Sequence, residues 1–244
     1  MGSKFRQPKG GPVLLELFKD IFQFFKKNIR SISILTLAIE FPYILIQNIH
    51  YFSQTASEFS NNVGLVLLMA TLVIYPLSTG AQISLYAMII QGSKIDLKKC
   101  VSRSRKHLLN LIVGSLIYIF FTVMGLLVFI VPGIFIAVRL SFYCFFIVLD
   151  DLPPVDALKK SAQVTKEYAW RLASALIIVG FLLIASLLII QLFLNRVGLY
   201  NLYLGTVVDS FYSILGWLSL ILVFRFYCLY KDKTKDVSDP PPIS

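Results

Sequence analysis

Charge is scarce in this sequence, and histidine scarcer still. Of 244 residues only 15% are Asp, Glu, Lys or Arg, and there are two histidines, His50 and His107. So little charge excludes an ordinary soluble domain. The hydrophobic fraction is 57% and the mean hydropathy +0.77, against roughly 45 to 50% apolar residues in soluble proteins, and no water-soluble fold of this length can hide that surface. The three cysteines, Cys100, Cys144 and Cys228, have no C-x-x-C spacing, and none falls in an expected external loop, so neither a disulfide framework nor a zinc site is implied. H-E-x-x-H, G-x-S-x-G and a phosphate-cradling glycine loop are all missing, which removes the common hydrolase and nucleotide-binding signatures. The N-terminal stretch "MGSKFRQPKGGPVLLELFKDIFQFFKK" lacks the short apolar core and small-residue cleavage site of a secretory signal peptide. The first span is expected to stay attached.

What is present is apolar sequence in blocks of bilayer-spanning length, about 20 residues of helix being needed to cross a hydrocarbon core. Six spans are expected, at about 31–49, 63–90, 108–131, 134–149, 172–194 and 207–229, in one membrane domain over residues 1–230. The fold class is all-α, polytopic. Pro132 and Gly133 divide an apolar run of about forty residues, because proline cannot continue the helix ladder and glycine tolerates a turn. Spans three and four should therefore form a tight hairpin turning there. From 231 to 244, "KDKTKDVSDPPPIS" is polar and proline-rich and reads as a disordered tail.

Lys and Arg set the orientation. Residues 1–30 hold Lys4, Arg6, Lys9, Lys19, Lys26, Lys27 and Arg30; 91–107 hold Lys94, Lys98, Lys99, Arg103, Arg105 and Lys106; 150–171 hold Lys159, Lys160, Lys166 and Arg171; 225–244 hold Arg225, Lys231, Lys233 and Lys235. Only Arg139 and Arg196, of 23, lie elsewhere. Cytoplasmic loops keep cationic residues, so this alternation expects six spans with both termini in the cytoplasm. The formal charge of +10 is then a topology signal, and nucleic acid is not an expected partner.

The basic segments have helical periodicity as well. In "PVLLELFKDIFQFFKK", Leu14, Leu17, Phe18, Ile21, Phe22 and Phe25 share one face, which expects a surface helix over about 13–27. A second is expected over 154–170, with Val155, Leu158, Ala162, Thr165 and Ala169 on one stripe, Asp151 as cap and Pro153 and Pro154 in the first turn. A weaker third covers 94–107. Each precedes an outgoing span, an arrangement of three similar units without a residue-level repeat. Lys26, Lys27, Arg30, Lys98, Lys99, Arg103, Arg105, Lys106, Lys159, Lys160, Lys166 and Arg171 are the candidate contacts to anionic lipid headgroups of the inner leaflet, each contributing about 1 kcal/mol. A membrane-protein partner or a second copy of the chain is the other class of partner left open.

Glu40 and Arg139 are the only full charges deep within the expected spans. A lone charge at a helix centre costs about 2.5 to 3.5 kcal/mol on insertion scales. Counting rise per residue puts the two at levels differing by about 5 Å, so an ion pair tying spans one and four is expected, either structural or lining a polar pathway. Asp209 and Arg225, near span ends, should snorkel to water. Gly80, Ser84 and Ala87 form a small-residue face suited to close helix packing, and Pro42 and Pro76 are read as the kinks single prolines commonly make in membrane helices, with the broken helices of transporters as the alternative. The adjacent Asp150 and Asp151 could meet a divalent ion, but neighbouring side chains diverge on most backbones and no other acid clusters with them, so a helix-start role is expected instead. No catalytic residue, cofactor or metal ligand is expected.

Residues 128–172, "VFIVPGIFIAVRLSFYCFFIVLDDLPPVDALKKSAQVTKEYAWRL", with "SILGWLSLILVFRFYCLY" at 213–230, resemble the YciC-like bacterial inner-membrane proteins, themselves similar to the membrane domain of some glycerophosphodiester phosphodiesterases. The shared elements are the V-P-G turn, the span after it, the aspartate before the "ALKKS" helix and the final F-R-x-Y. The resemblance implies an all-helical polytopic membrane protein with no established activity. The expected role is non-enzymatic, through lipid contact or partner assembly, with a small transporter or channel using Glu40 and Arg139 as the alternative.

Overall fold

The computed structural model describes residues 14–54 and 61–238. Nine α-helices are found among them: α1 (Leu14–Gln54), α2 (Asn61–Gln91), α3 (Leu97–Lys106), α4 (Leu108–Val128), α5 (Ile130–Leu140), α6 (Tyr143–Asp150), α7 (Pro154–Val164), α8 (Ala169–Arg196) and α9 (Leu202–Ser238). Six segments are long and apolar enough to cross a membrane, one of them Ile130–Asp150, which α5 and α6 share.

The spans close into a ring. α1 packs on α2 and α9, α2 on α4, α4 on α5, α5 on α8, and α8 on α9. α6 turns into this ring and plugs one end, with Tyr143 through Val148 all buried. Phe145 stacks on Phe224 and Tyr227 of α9 at 5.6 and 5.2 Å between centroids, and Tyr143 stacks on Tyr118 of α4 at 5.4 Å. Aromatic pairs of this kind add about 0.5 to 1.5 kcal/mol each beyond the area they bury.

Several expectations change. The stretch read as a separate surface helix over 13–27 runs straight on into the first span as α1, residue 13 lying outside the described residues. Leu17, Ile21, Phe24 and Phe25 are buried, whereas Phe22 is 60% exposed. The reason is a partner: Phe24 packs edge-on against Tyr86 of α2. The hairpin turn lies at Phe129, the one extended residue between α4 and α5 (φ −160°, ψ 152°). Pro132 sits in the first turn of α5, where a missing N–H costs nothing. Gly133 is a crossing point rather than a turn: a Cβ there would lie 2.5 Å from the Leu126 side chain, and one on Gly125 2.9 Å from the Gly133 Cα. The hairpin tip, Leu126 through Val131, is wholly apolar and 43 to 75% exposed.

Span four is two helices, broken at Ser141 and Phe142. The break is held from α7. Ser161 Oγ donates to the Arg139 carbonyl (2.8 Å) and accepts from the Phe142 N–H (3.0 Å), and the Thr165 hydroxyl lies 2.9 Å from the same carbonyl. Both side chains are fully buried. Backbone groups orphaned by the break thus find partners, as buried polar groups must. Asp151 does not cap α7; it ends α6 in the left-handed region (φ 53°), and Pro153 takes the cap position. The expected disordered tail is helical through Ser238, with Lys231 on Asp150 and Lys233 on Glu167; residues 239–244 lie outside the described residues.

Candidate functional site: an acidic chamber inside the helix ring

Glu40 lies near the middle of α1, two residues before Pro42. Its carboxylate faces the ring interior and is held by hydroxyls from two other spans, accepting from Ser78 Oγ of α2 and Ser213 Oγ of α9. Pro76, the α2 proline, has no N–H to give the Leu72 carbonyl one turn back, and both residues line the cavity that opens beside Glu40.

That cavity has a volume of about 600 Å³, within the range of small-molecule sites. Its walls combine the aromatic residues Tyr75, Tyr118, Tyr143 and Trp217 with the hydroxyls of Thr71, Ser115, Ser141 and Ser219. α6 contributes the floor through Tyr143 and Cys144. Trp217 is 6% exposed, and its indole N–H has no acceptor among the described residues. An indole N–H buried without a partner costs about 1 to 3 kcal/mol.

A second cavity of about 250 Å³ shares Glu40, Thr71, Tyr75 and Ser213 with the first and reaches Asp209. Asp209, expected to extend to water, is half-buried at the wall of this cavity and accepts from Asn48 Nδ2 at 2.9 Å. Tyr43 OH meets Thr71 Oγ1 between the two levels. A polar track therefore runs from Asp209 past Thr71 to Glu40 and into the larger chamber. Neither cavity is lined by Lys, Arg or His among the described residues. Glu40 faces hydroxyls and rings, with no counter-cation among the described residues.

Arg139 does not supply one. The expected ion pair is absent: Arg139 Nε and Nη2 donate to the Ala162 carbonyl of α7 at 3.2 and 2.5 Å, and the guanidinium lies over Phe135 at 5.7 Å. Depth counting assumed one straight helix after Pro132. The break at 141–142 instead leaves Arg139 in the last turn of α5, beside a carbonyl in the last turn of α7, where helix dipoles favour a cation.

The expected headgroup contacts are distributed around the plugged end. Lys26, Lys27, Arg30, Lys98, Lys99, Arg103, Arg105, Lys106, Lys159, Lys166 and Arg171 are exposed. Arg103 also donates to the Val148 carbonyl at 3.1 Å. Lys160 is half-buried and joins Lys231 on Asp150, at 3.2 and 2.9 Å. Arg225, expected to reach water, is 2% exposed and meets Asp20 at 3.4 Å. The α2 face holding Gly80 is in close contact, with Ser104 of α3 and Leu111 of α4 against Gly80. Asp96 caps α3 by accepting from the Lys98 and Lys99 N–H groups, and the helix ends at His107. His107 Nε2 lies 3.1 Å from Asp151, yet burial holds the imidazole pKa below its ordinary value, outweighing that carboxylate. Among the described residues no group of three or more His, Cys, Asp or Glu side chains could hold a metal ion.

Sequence reasoning missed Ser78, Ser213 and Trp217. A signal for the α9 face was there: Asp209, Ser213, Gly216 and Ser219 recur at steps of three and four in an otherwise apolar span.

A ring of apolar helices around an acidic chamber defines a polytopic α-helical membrane protein. Residues 111–227, from α4 into α9, match the family described as Domain of unknown function (DUF7847). Across most of its length the chain is similar to a UPF0259 membrane protein of Serratia proteamaculans, 22% identical over 246 residues covering 88% of this chain and 97% of the relative. UPF0259 membrane proteins of Yersinia pestis and Yersinia pseudotuberculosis are 25% identical over 251 residues, covering 90% and 96%. The resemblance to YciC-like proteins, drawn from the V-P-G segment and the last span, is to this same group. No solved structure matches.

Proposed function

We propose that the protein is a non-enzymatic solute-handling protein of the bacterial cytoplasmic membrane, with both termini in the cytoplasm, in which Glu40 binds a small organic cation within the chamber. The observation that carries this reading is the carboxyl group itself: an acidic side chain inside the ring, held by Ser78 and Ser213 and by no other hydrogen bond among the described residues, beside a cavity with no basic lining residue among them. A cation supplies the missing charge partner. Tyr75, Tyr118, Tyr143 and Trp217 provide ring faces, each worth about 0.5 to 2 kcal/mol to a desolvated cation, and the hydroxyls replace part of its hydration shell. The track toward Asp209 is its route of entry. The clustering of Lys and Arg at the opposite, plugged end supports the orientation.

Proteoliposomes test this directly, with choline and putrescine as probes. Uptake or saturable binding is expected, lost at least tenfold in Glu40→Gln and partly kept in Glu40→Asp. Equal uptake by Glu40→Gln and the unmodified protein, or no interaction with any small cation, would overturn the reading.

A further inference from the structure

A third cavity lies on the outside of the ring and shares no lining residue with the other two. Where α7 lies across α4 and α5, a groove of about 440 Å³ opens, its walls formed by Ile117 and Phe121 of α4, Ile136 and Leu140 of α5, and Val155 and Leu158 of α7. Two cations border it, Arg139 and Lys159. A guanidinium carries five N–H donors. Arg139 directs Nε and Nη2 to the Ala162 carbonyl, and Nη1 makes no hydrogen bond among the described residues. Lys159 is exposed and forms no ion pair among the described residues.

We propose that this groove holds one anionic phospholipid, with an acyl chain along the apolar walls and the phosphate at Arg139 and Lys159. Charge complementarity selects the occupant. A soluble anion has no use for the apolar walls, and a zwitterionic lipid brings no net charge to two cations. The position fits an interface: Trp170, 74% exposed, packs on Phe135 at 6.2 Å, the ring over which Arg139 lies, and amphipathic indoles settle at headgroup level. Arg139 then has two tasks in one place, tying α5 to α7 and presenting the rest of its guanidinium to a phosphate.

Trp170 is a built-in reporter, because Trp217 is the only other tryptophan. A Trp217→Phe protein in phosphatidylcholine vesicles is titrated with brominated phosphatidylglycerol or brominated phosphatidylcholine, and Trp170 quenching is followed. Each basic residue at an anionic surface contributes a factor of about five, so phosphatidylglycerol should quench at a mole fraction at least fivefold lower. Lys159→Glu lies outside the Arg139 clamp and should abolish the preference, with gel filtration checking that the fold is intact. Equal quenching by the two lipids would mean unselective lipid contact and overturn the proposal. So would an unchanged preference in Lys159→Glu, or no quenching by either lipid, the result expected if a partner helix fills the groove.

Discussion

The two ends of the helix ring use their polar residues in opposite ways. At the plugged end, polar groups meet one another and hold elements together: Arg139 on the Ala162 carbonyl, Ser161 across the α5–α6 break, Asp150 between Lys160 and Lys231, His107 on Asp151. At the other end, Glu40, Thr71, Tyr75, Ser213 and Asp209 line space. The difference separates a lock from a site. A polar residue whose hydrogen bonds close a break serves the fold, and one facing a cavity can serve a ligand. Both relieve the cost of polarity among apolar spans without an ion pair between them.

The largest expected effect falls on the lock. Ser161→Ala strands the buried Phe142 N–H and removes one donor from the half-buried Arg139 carbonyl. About 2 kcal/mol of stability should go, read by denaturant titration in detergent micelles, and a loss below about 0.5 kcal/mol would show that the break is held by packing alone. His107 gives a smaller effect with a defined sign. Its pKa is lower in the fold than its unfolded value of 6.5, so the unfolded chain binds more protons in that range. Stability is then unaffected above that value, declines as pH falls through it, and levels off below the folded pKa. Melting temperature against pH should show this step, and His107→Gln should flatten it. The smallest effect is the sharpest test of the comparison. Glu40→Gln and Arg139→Gln belong to different ends and share no partner, so their stability changes should add within about 0.5 kcal/mol. A coupling above 1 kcal/mol would restore the ion pair and erase the distinction.

Helical architecture and six apolar segments were legible because hydropathy and length report directly on the solvent a segment needs. Local chain geometry was less so. Pro132 looked like a breaker, but the first turn of a helix has no use for that N–H, and the chain turns three residues earlier at Phe129. The break at Ser141 and Phe142 had no local signal, since it is stabilised by Ser161 and Thr165 through bonds that span 19 and 26 residues of sequence. α9 continues past residue 231 because Lys231 and Lys233 find carboxylates on α6 and on the turn after α7. Glu40 was identified as the exceptional acid, but its partners were not, since pairing by charge overlooks hydroxyls that only the rotation of α2 and α9 brings into reach.

The hairpin tip from Leu126 to Val131 has a consequence for how the chain enters the bilayer. With no polar group to carry across, α4 and α5 can insert as one folded unit rather than thread through in sequence. Once there, the tip offers nothing to an aqueous reagent: a cysteine placed at Phe129 should stay invisible to impermeant thiol labels from either side.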